Sequence, residues 1–508
     1  MNRHNIFKWT SVALLVGLIL SCSNRKEEKA AALYRTQCAS CHLLPAIEDL
    51  PKHIWKDGVL PDMAARMGIQ DSSLNPLKNR SFAEQHAILK SGIYPSRPQL
   101  SIADWDLLQN YIINLAPDSL VSLTPKSGYS NLNQFKAVPI QIDSSAGTFI
   151  TFLEFKPEDH SIITGDLRGN LLKHHLFHRK IDTLEKVQDK ITSYAKTNTS
   201  TYITTTRNLN PSEIANGAID IIPNSKDTII RLPEILHRPV HTLARDLNKN
   251  SEEELVVSEF GNLTGSLSLF SKEGGEYKKN ILLNQPGFIR TIAKDMNHNG
   301  KDDLVALVSQ GRESIIIFYQ QDNLQFVPEP VLEFSPVYGT SWFELIDYDG
   351  DGDDDIITVN GDNADKSFVN KPYHGLRIHI NDGTNTFEEK YFFPLNGATR
   401  LVAEDFDQDG DYDFGIVSTF PDYTTKPFAS FVYLENKDSK AFNFQPYTFS
   451  GAKLGRWLLM DSGDVDNDGD IDIVLSSFTY GFSPVPKDFL NVWSQSKVDL
   501  MLLENKLK

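Results

Sequence analysis

Four nine-residue loops of one design recur along this chain of 508 residues, and they constrain its fold more than any other feature. Each follows the pattern D-x-[DN]-x-[DN]-G-x-x-D and is followed by an apolar residue. The patterned residues are Asp295, Asn297, Asn299 and Asp303; Asp347, Asp349, Asp351 and Asp355; Asp405, Asp407, Asp409 and Asp413; and Asp464, Asp466, Asp468 and Asp472. A fifth, divergent copy carries Asp246, Asn248, Asn250 and Glu254, with Ser251 in place of the glycine. The starts are spaced 49, 52, 58 and 59 residues apart, a mean of about 54. β-type runs such as Leu304-Val305-Ala306-Leu307-Val308 follow the loops. A period of this size with strands on both sides predicts propeller blades. Residues 139–508 have room for close to seven, with six or eight as alternatives, and seven would place two blades before residue 238 without the loop. Phe149 to Leu172 supports one of them. The second is less legible, with strand candidates at Tyr202 to Thr205 and Ala218 to Ile222.

The loops carry the donors that Ca²⁺ prefers, about 6–8 oxygens drawn largely from carboxylates and carbonyls. An EF-hand would need Glu at its twelfth position and a helix beyond it. Here the twelfth residues are Val257, Ala306, Thr358, Ile416 and Leu475, and the runs that follow are β-type. The loops resemble the FG-GAP (or VCBS-like) repeats of integrin α-subunit propellers and many bacterial surface proteins. The resemblance is clear over 238–508 and weak over 139–237. It implies that the first, third, fifth and ninth residues of each loop, as named above, ligate Ca²⁺ together with the seventh backbone carbonyl. Four or five ions would then be held, in a structural role.

The N-terminal part differs in character. Cys38-Ala39-Ser40-Cys41-His42 is the C-x-x-C-H signature of covalent haem attachment. A zinc half-site or redox dithiol is the competing reading. No second C-x-x-C completes a zinc site, and no βαβ pattern surrounds this one. The expected cofactor is one covalent haem c, with His42 on the iron. Helical spacing is read over Ala30 to Ser40, over Pro51 to Ile69 with a kink at Pro61, over Phe82 to Leu89, and from a capping box at Ser101 to Leu115. A helical domain of about 90 residues is similar in size to a class I cytochrome c. Val59-Leu60-Pro61-Asp62-Met63 resembles the methionine loop of that family. The resemblance implies Met63 as sixth ligand, with Met67, His53, His86 or an open position as alternatives. It also implies that the Pro45 carbonyl orients His42.

Basic Arg3 and Lys8 precede an apolar run, Val12 to Leu20, too short to span a bilayer and suited to a signal peptide. Ile19-Leu20-Ser21-Cys22 resembles a bacterial lipobox, which implies lipidation at Cys22. The charged residues after it are similar to surface-export signals of Bacteroidota lipoproteins. The expected organisation is multidomain: signal peptide 1–21, tether 22–29, small all-α cytochrome c-like haem domain 30–118, Ser/Pro/Asn-rich linker 119–138, and an all-β propeller of seven blades, 139–508. The expected location is the outer membrane, facing the surface or the periplasm.

A net charge of −17 argues against nucleic acid as a partner, since phosphate binding needs a basic face. The leading functional expectation is single-electron transfer to a redox partner protein, with the propeller as docking platform and no catalytic residue. One alternative is a surface protein that binds a glycan or protein and senses redox state through its haem. Another is a propeller dehydrogenase with a built-in cytochrome acceptor.

Overall fold

The computed structural model describes residues 25–69, 75–121, 123, 125, 128–145, 147–225, 228–363 and 367–507. The signal-peptide and Cys22 expectations fall outside them. The chain divides into two compact units, one made of residues up to 81 with 88–120, the other of 82–87 with 121 onward.

The first unit is helical. Residues 25–33 are α-helical and run into a π-turn, Tyr34–Cys38, so the charged stretch read as a tether is helical from Arg25. It holds no Gly or Pro to stop a helix. A second run passes through Lys52–Ile54, a π-turn Trp55–Val59 and an α-helix Leu60–Arg66. The kink expected at Pro61 takes the form of this π-turn. The proline ring lacks an N–H and crowds the carbonyl four residues back, and the wider turn accommodates both defects. The helix Ile102–Leu115 opens as read, with Ser101 Oγ accepting from the Asp104 amide at 3.1 Å. Leu50, Trp55, Leu60, Ala64, Trp105, Leu108 and Ile112 form the buried core. Trp55 Nε1 donates to the Ile47 carbonyl at 2.8 Å, tying the loop after His42 to the second helical run.

The second unit is a seven-bladed β-propeller. Its seven antiparallel sheets span 150–186, 190–231, 239–283, 288–333, 340–394, 398–448 and 457–505, called blades 1 to 7 here. Blades 1 and 2 occupy the region that lacks Asp-rich loops. The first strand of each blade packs against the first strand of the next, and blade 7 returns to blade 1, where the Phe155 amide donates to Asp461 Oδ2 at 2.7 Å. The second strands of blades 3 to 7 are buried at every residue. That explains their near-continuous apolar sequence, since such a strand meets neighbours on both faces.

Ring closure uses residues read as linker. Phe135–Ile140 pairs antiparallel with the last strand, Leu500–Asn505, and supplies the outer strand of blade 7. Ser130–Asn131 adds a parallel edge to blade 6. The propeller therefore starts before residue 139. Asn131 and Asn133 belong to the Ser/Pro/Asn-rich composition that reads as a linker. An outermost strand tolerates Pro139 because only one of its sides needs backbone donors.

Candidate metal loops and the C-x-x-C-H segment

All five Asp-rich loops join the first to the second strand of their blades, 3 to 7, and so lie at one end of the propeller. Their backbone follows from the repeated pattern. The fourth residue takes a left-handed conformation in every copy: Lys249, His298, Gly350, Gln408 and Asn467 have φ between 56° and 76°. The sixth does likewise, at 83–99° in Gly300, Gly352, Gly410 and Gly469. Glycine adopts this freely, while Ser251 does so at φ 70° with a Cβ cost of about 1–2 kcal/mol. The first Asp closes the turn. Asp295 accepts from the amides of Asn299 at 3.1 Å and Gly300 at 2.7 Å, and Asp405 accepts from Asp409 and Gly410, both at 3.0 Å. The fifth residue accepts from the seventh amide, as Asp351 does from Asp353 at 3.0 Å.

The ninth residue has a second job that the sequence did not disclose. Asp303, Asp355 and Asp472 each accept the amide of loop position two on Oδ2, at 2.9–3.0 Å. On Oδ1 each accepts an amide of the third strand or, for Asp472, of the last one: Gln320, Asn381 and Asn505, at 2.7–2.8 Å. Asp413 varies this, taking the Asn436 amide at 2.7 Å and the Tyr433 hydroxyl at 2.6 Å. Glu254 accepts from the Leu247 amide at 2.9 Å. These carboxylates are buried, and burial pushes Asp355 up to about 6 and Asp413 and Asp472 up to about 7.

Three loops gather three carboxylates within reach of one centre: Asp347, Asp349 and Asp355; Asp405, Asp407 and Asp409; Asp464, Asp466 and Asp468. In these loops Asp347 Oδ1, Asp411 Oδ1 and Asp466 Oδ1 are buried acceptors without a hydrogen-bond donor. Burial and then the adjacent Asp charges raise Asp349, Asp407 and Asp466 above the usual carboxylate range. Unsatisfied oxygens beside mutually repelling carboxylates are the donor set a divalent cation would complete, so these loops fit Ca²⁺. The loops at 246 and 295 carry Asn at positions three and five, which lowers their charge and their expected affinity. Asn248 and Asn250 are used locally: both side-chain oxygens accept loop amides.

Side chains at the fourth position link neighbouring loops. Lys249 donates to the Gly300 carbonyl at 2.7 Å, His298 lies 3.1 Å from Asp353, and Gln408 donates to the Gly469 carbonyl at 3.3 Å.

In the helical unit, Cys38 ends the first helical run and Cys41 and His42 follow in the turn. Burial pushes the Cys38 thiol up to about 11. Redox-active C-x-x-C thiols are shifted the other way. The His42 Nδ1 lies 2.7 Å from the Leu43 carbonyl, which can only accept. Nδ1 therefore donates, and in the tautomer that carries its proton there the Nε2 lone pair is left for an iron. This corrects the role expected of Pro45, whose carbonyl accepts the Tyr34 hydroxyl instead. Met63, on the helix Leu60–Arg66, and Met67 after it are half-buried, while His53 and His86 are exposed. A cavity of about 430 Å³ in the same unit is lined by Tyr34, Leu44, Pro45, Ile47, Tyr111 and Leu115 among others, and by no residue of the motif. That is within the range of small-molecule sites, about 300–1,000 Å³. His42 and Met63 are not among its lining residues. The thiol pair and the Nε2 left free by the Leu43 contact fit a covalent haem.

Residues 295–358 match the FG-GAP-like repeat family. No curated protein matches the chain. Among solved structures, the Cps50 (Swd1) β-propeller domain of Myceliophteria thermophila is similar at 10% identity and TM-score 0.43, over 67% of this chain and 97% of that one. The N-terminal domain of Nup159 is similar at 12% identity and TM-score 0.41, covering 76% and 99%. YCF48 bound to D1 peptide is similar at 8% and 0.42, covering 74% and 99%. By its own strand order, the chain is a seven-bladed β-propeller carrying an FG-GAP-like repeat, with short helices near its N-terminus.

Proposed function

We propose that the protein is an exported monohaem c-type cytochrome that passes single electrons to a partner protein, with a calcium-stabilised propeller as its docking platform. The observation that carries this reading is His42, which directly follows the second thiol and whose Nδ1 is held so that Nε2 is left for iron. Cys38 and Cys41 would hold the haem, His42 would ligate from one side and Met63 from the other. Haem with His/Met ligation supplies a relatively high reduction potential suited to electron transfer. Cys22 would bear the lipid that anchors the chain at the outer membrane, since two acyl signals suffice for stable attachment.

Expression of the full chain in a host with c-type maturation is expected to yield one haem per chain that survives denaturation, read by Soret absorbance and haem staining of a gel. Cys38→Ala with Cys41→Ala should abolish the stain. Met63→Ala should keep it and lower the reduction potential. Purified protein without a Soret band would sink the proposal. A Cys22→Ser variant should leave the membrane fraction for the soluble one.

A further inference from the structure

The first strand of the blades carries a bulge near its start, which sets one residue per blade at the same register along the central channel. In blades 1, 2 and 7 that residue is Phe152, Ser193 and Leu459, whereas in blades 3 to 6 it is His241, Arg290, Trp342 and Arg400. The Asp-rich loops follow the other end of these strands, so the cluster lies toward the opposite end of the channel.

Both guanidiniums lie over the Trp342 ring, Arg290 at 4.1 Å and Arg400 at 4.0 Å. Two like charges on one indole call for two counter-charges. Glu344 serves Arg290 at 2.6 Å and also accepts from Trp342 Nε1 at 2.8 Å. Among the described residues, the hydrogen-bond acceptors of Arg400 are the carbonyls of Ser341 and Thr399, both at 3.2 Å. Glu344 and Asp362 bear on it only through longer-range charge attraction. A guanidinium has five N–H donors in a planar fork, so most of Arg400's hydrogen-bonding capacity is unassigned. His241 Nδ1 accepts from the Thr291 amide at 3.4 Å, which leaves the ring proton on Nε2 as a further donor. Burial and the two arginines hold His241 neutral, down to about 3, and burial lowers Arg400 to about 9, still charged at neutral pH. The cluster is therefore net cationic. Two or four residues farther along the first strands of blades 1, 6 and 7 stand Glu154, Glu404 and Asp461, whose carboxyls burial raises, Asp461 to about 7.

The geometry points to a binding site for a small carboxylate anion at His241, Arg290 and Arg400, on the floor that Trp342 provides. A carboxylate matches the guanidinium fork with two parallel hydrogen bonds, and low local dielectric strengthens them. This site is independent of the haem and of the calcium loops.

Isothermal titration of the full-length protein with succinate, in buffered calcium, tests it. The expected result is saturable binding in the millimolar range or tighter that weakens as chloride rises. Arg400→Gln should weaken it tenfold or more. Arg400→Lys, which keeps the charge and loses the fork, should weaken it severalfold. Lys453→Gln, an exposed cation elsewhere, should leave it unchanged. Melting curves of each variant establish that it folds, and for any variant that does not, succinate protection of the wild-type arginines from phenylglyoxal replaces it. Absence of saturable binding, equal affinity in the Arg400 variants, or sulfate binding as tightly as succinate would overturn the assignment.

Discussion

Chelating calcium from the intact protein is expected to lower the propeller's melting temperature by about 10 °C and to leave haem absorbance unchanged. A site saturated a hundredfold above its dissociation constant adds ~2.7 kcal/mol to stability. Three convergent carboxylate loops would together contribute ~8 kcal/mol. Unfolding a propeller of about 370 residues releases ~0.8 kcal/mol per kelvin of entropy, which converts that sum into ~10 °C. The physical source is the release of repulsion among Asp347, Asp349 and Asp355, and in the two loops like them, where buried oxygens otherwise lack a partner. Scanning calorimetry with calcium and with EDTA is the measurement. Asp349→Asn should remove about a third of the calcium-dependent shift, and Asp295→Asn a smaller share, because its loop already carries Asn297 and Asn299. Superimposable melting curves in calcium and EDTA would rule the metal role out.

The sequence was most legible where backbone conformation is demanded locally. A turn that needs left-handed residues at its fourth and sixth positions, closed by an Asp at its first, leaves a fixed residue pattern, so blades 3 to 7 could be located from it. The capping box at Ser101 was visible for the same reason. Blade 2 was faint because its strands, such as Lys190–Lys196, mix polar and apolar residues and lack the loop marker. The closing strand Phe135–Ile140 was hidden because its partner lies at the far end of the chain, and pairing over that distance leaves no periodic trace. The channel cluster could not be read either. His241, Arg290, Trp342 and Arg400 are four isolated residues until a common bulge brings them to one level. In the sequence the ninth loop residue presents only as a ligand, since its backbone partner across the blade lies between 17 and 33 residues later in the chain.

That last position gives the second large effect. Asp472→Ala is expected to destabilise the propeller by ~2–6 kcal/mol, because the buried amides of Val465 and Asn505 lose their acceptor and each unpaired amide costs about 1–3 kcal/mol. Relief of burying a carboxylate that folding raises to about 7 offsets part of this, so the lower half of the range is favoured. Asp472→Asn should cost less, since its carbonyl oxygen still serves one of the two amides. The two roles of the loop separate by their response to metal. Loss of the ligand at Asp466, whose Oδ1 lacks a hydrogen-bond donor, should vanish as a difference once EDTA is present, whereas the Asp472→Ala deficit should persist, because the amides it orphans belong to the protein scaffold. The location adds a second readout. Asn505 ends the strand that pairs with Phe135–Ile140, so a loosened Asn505 weakens the clasp that joins the two ends of the ring. Limited proteolysis of Asp472→Ala should cut first near residues 135–140. A deficit that disappears in EDTA would assign Asp472 to the metal alone.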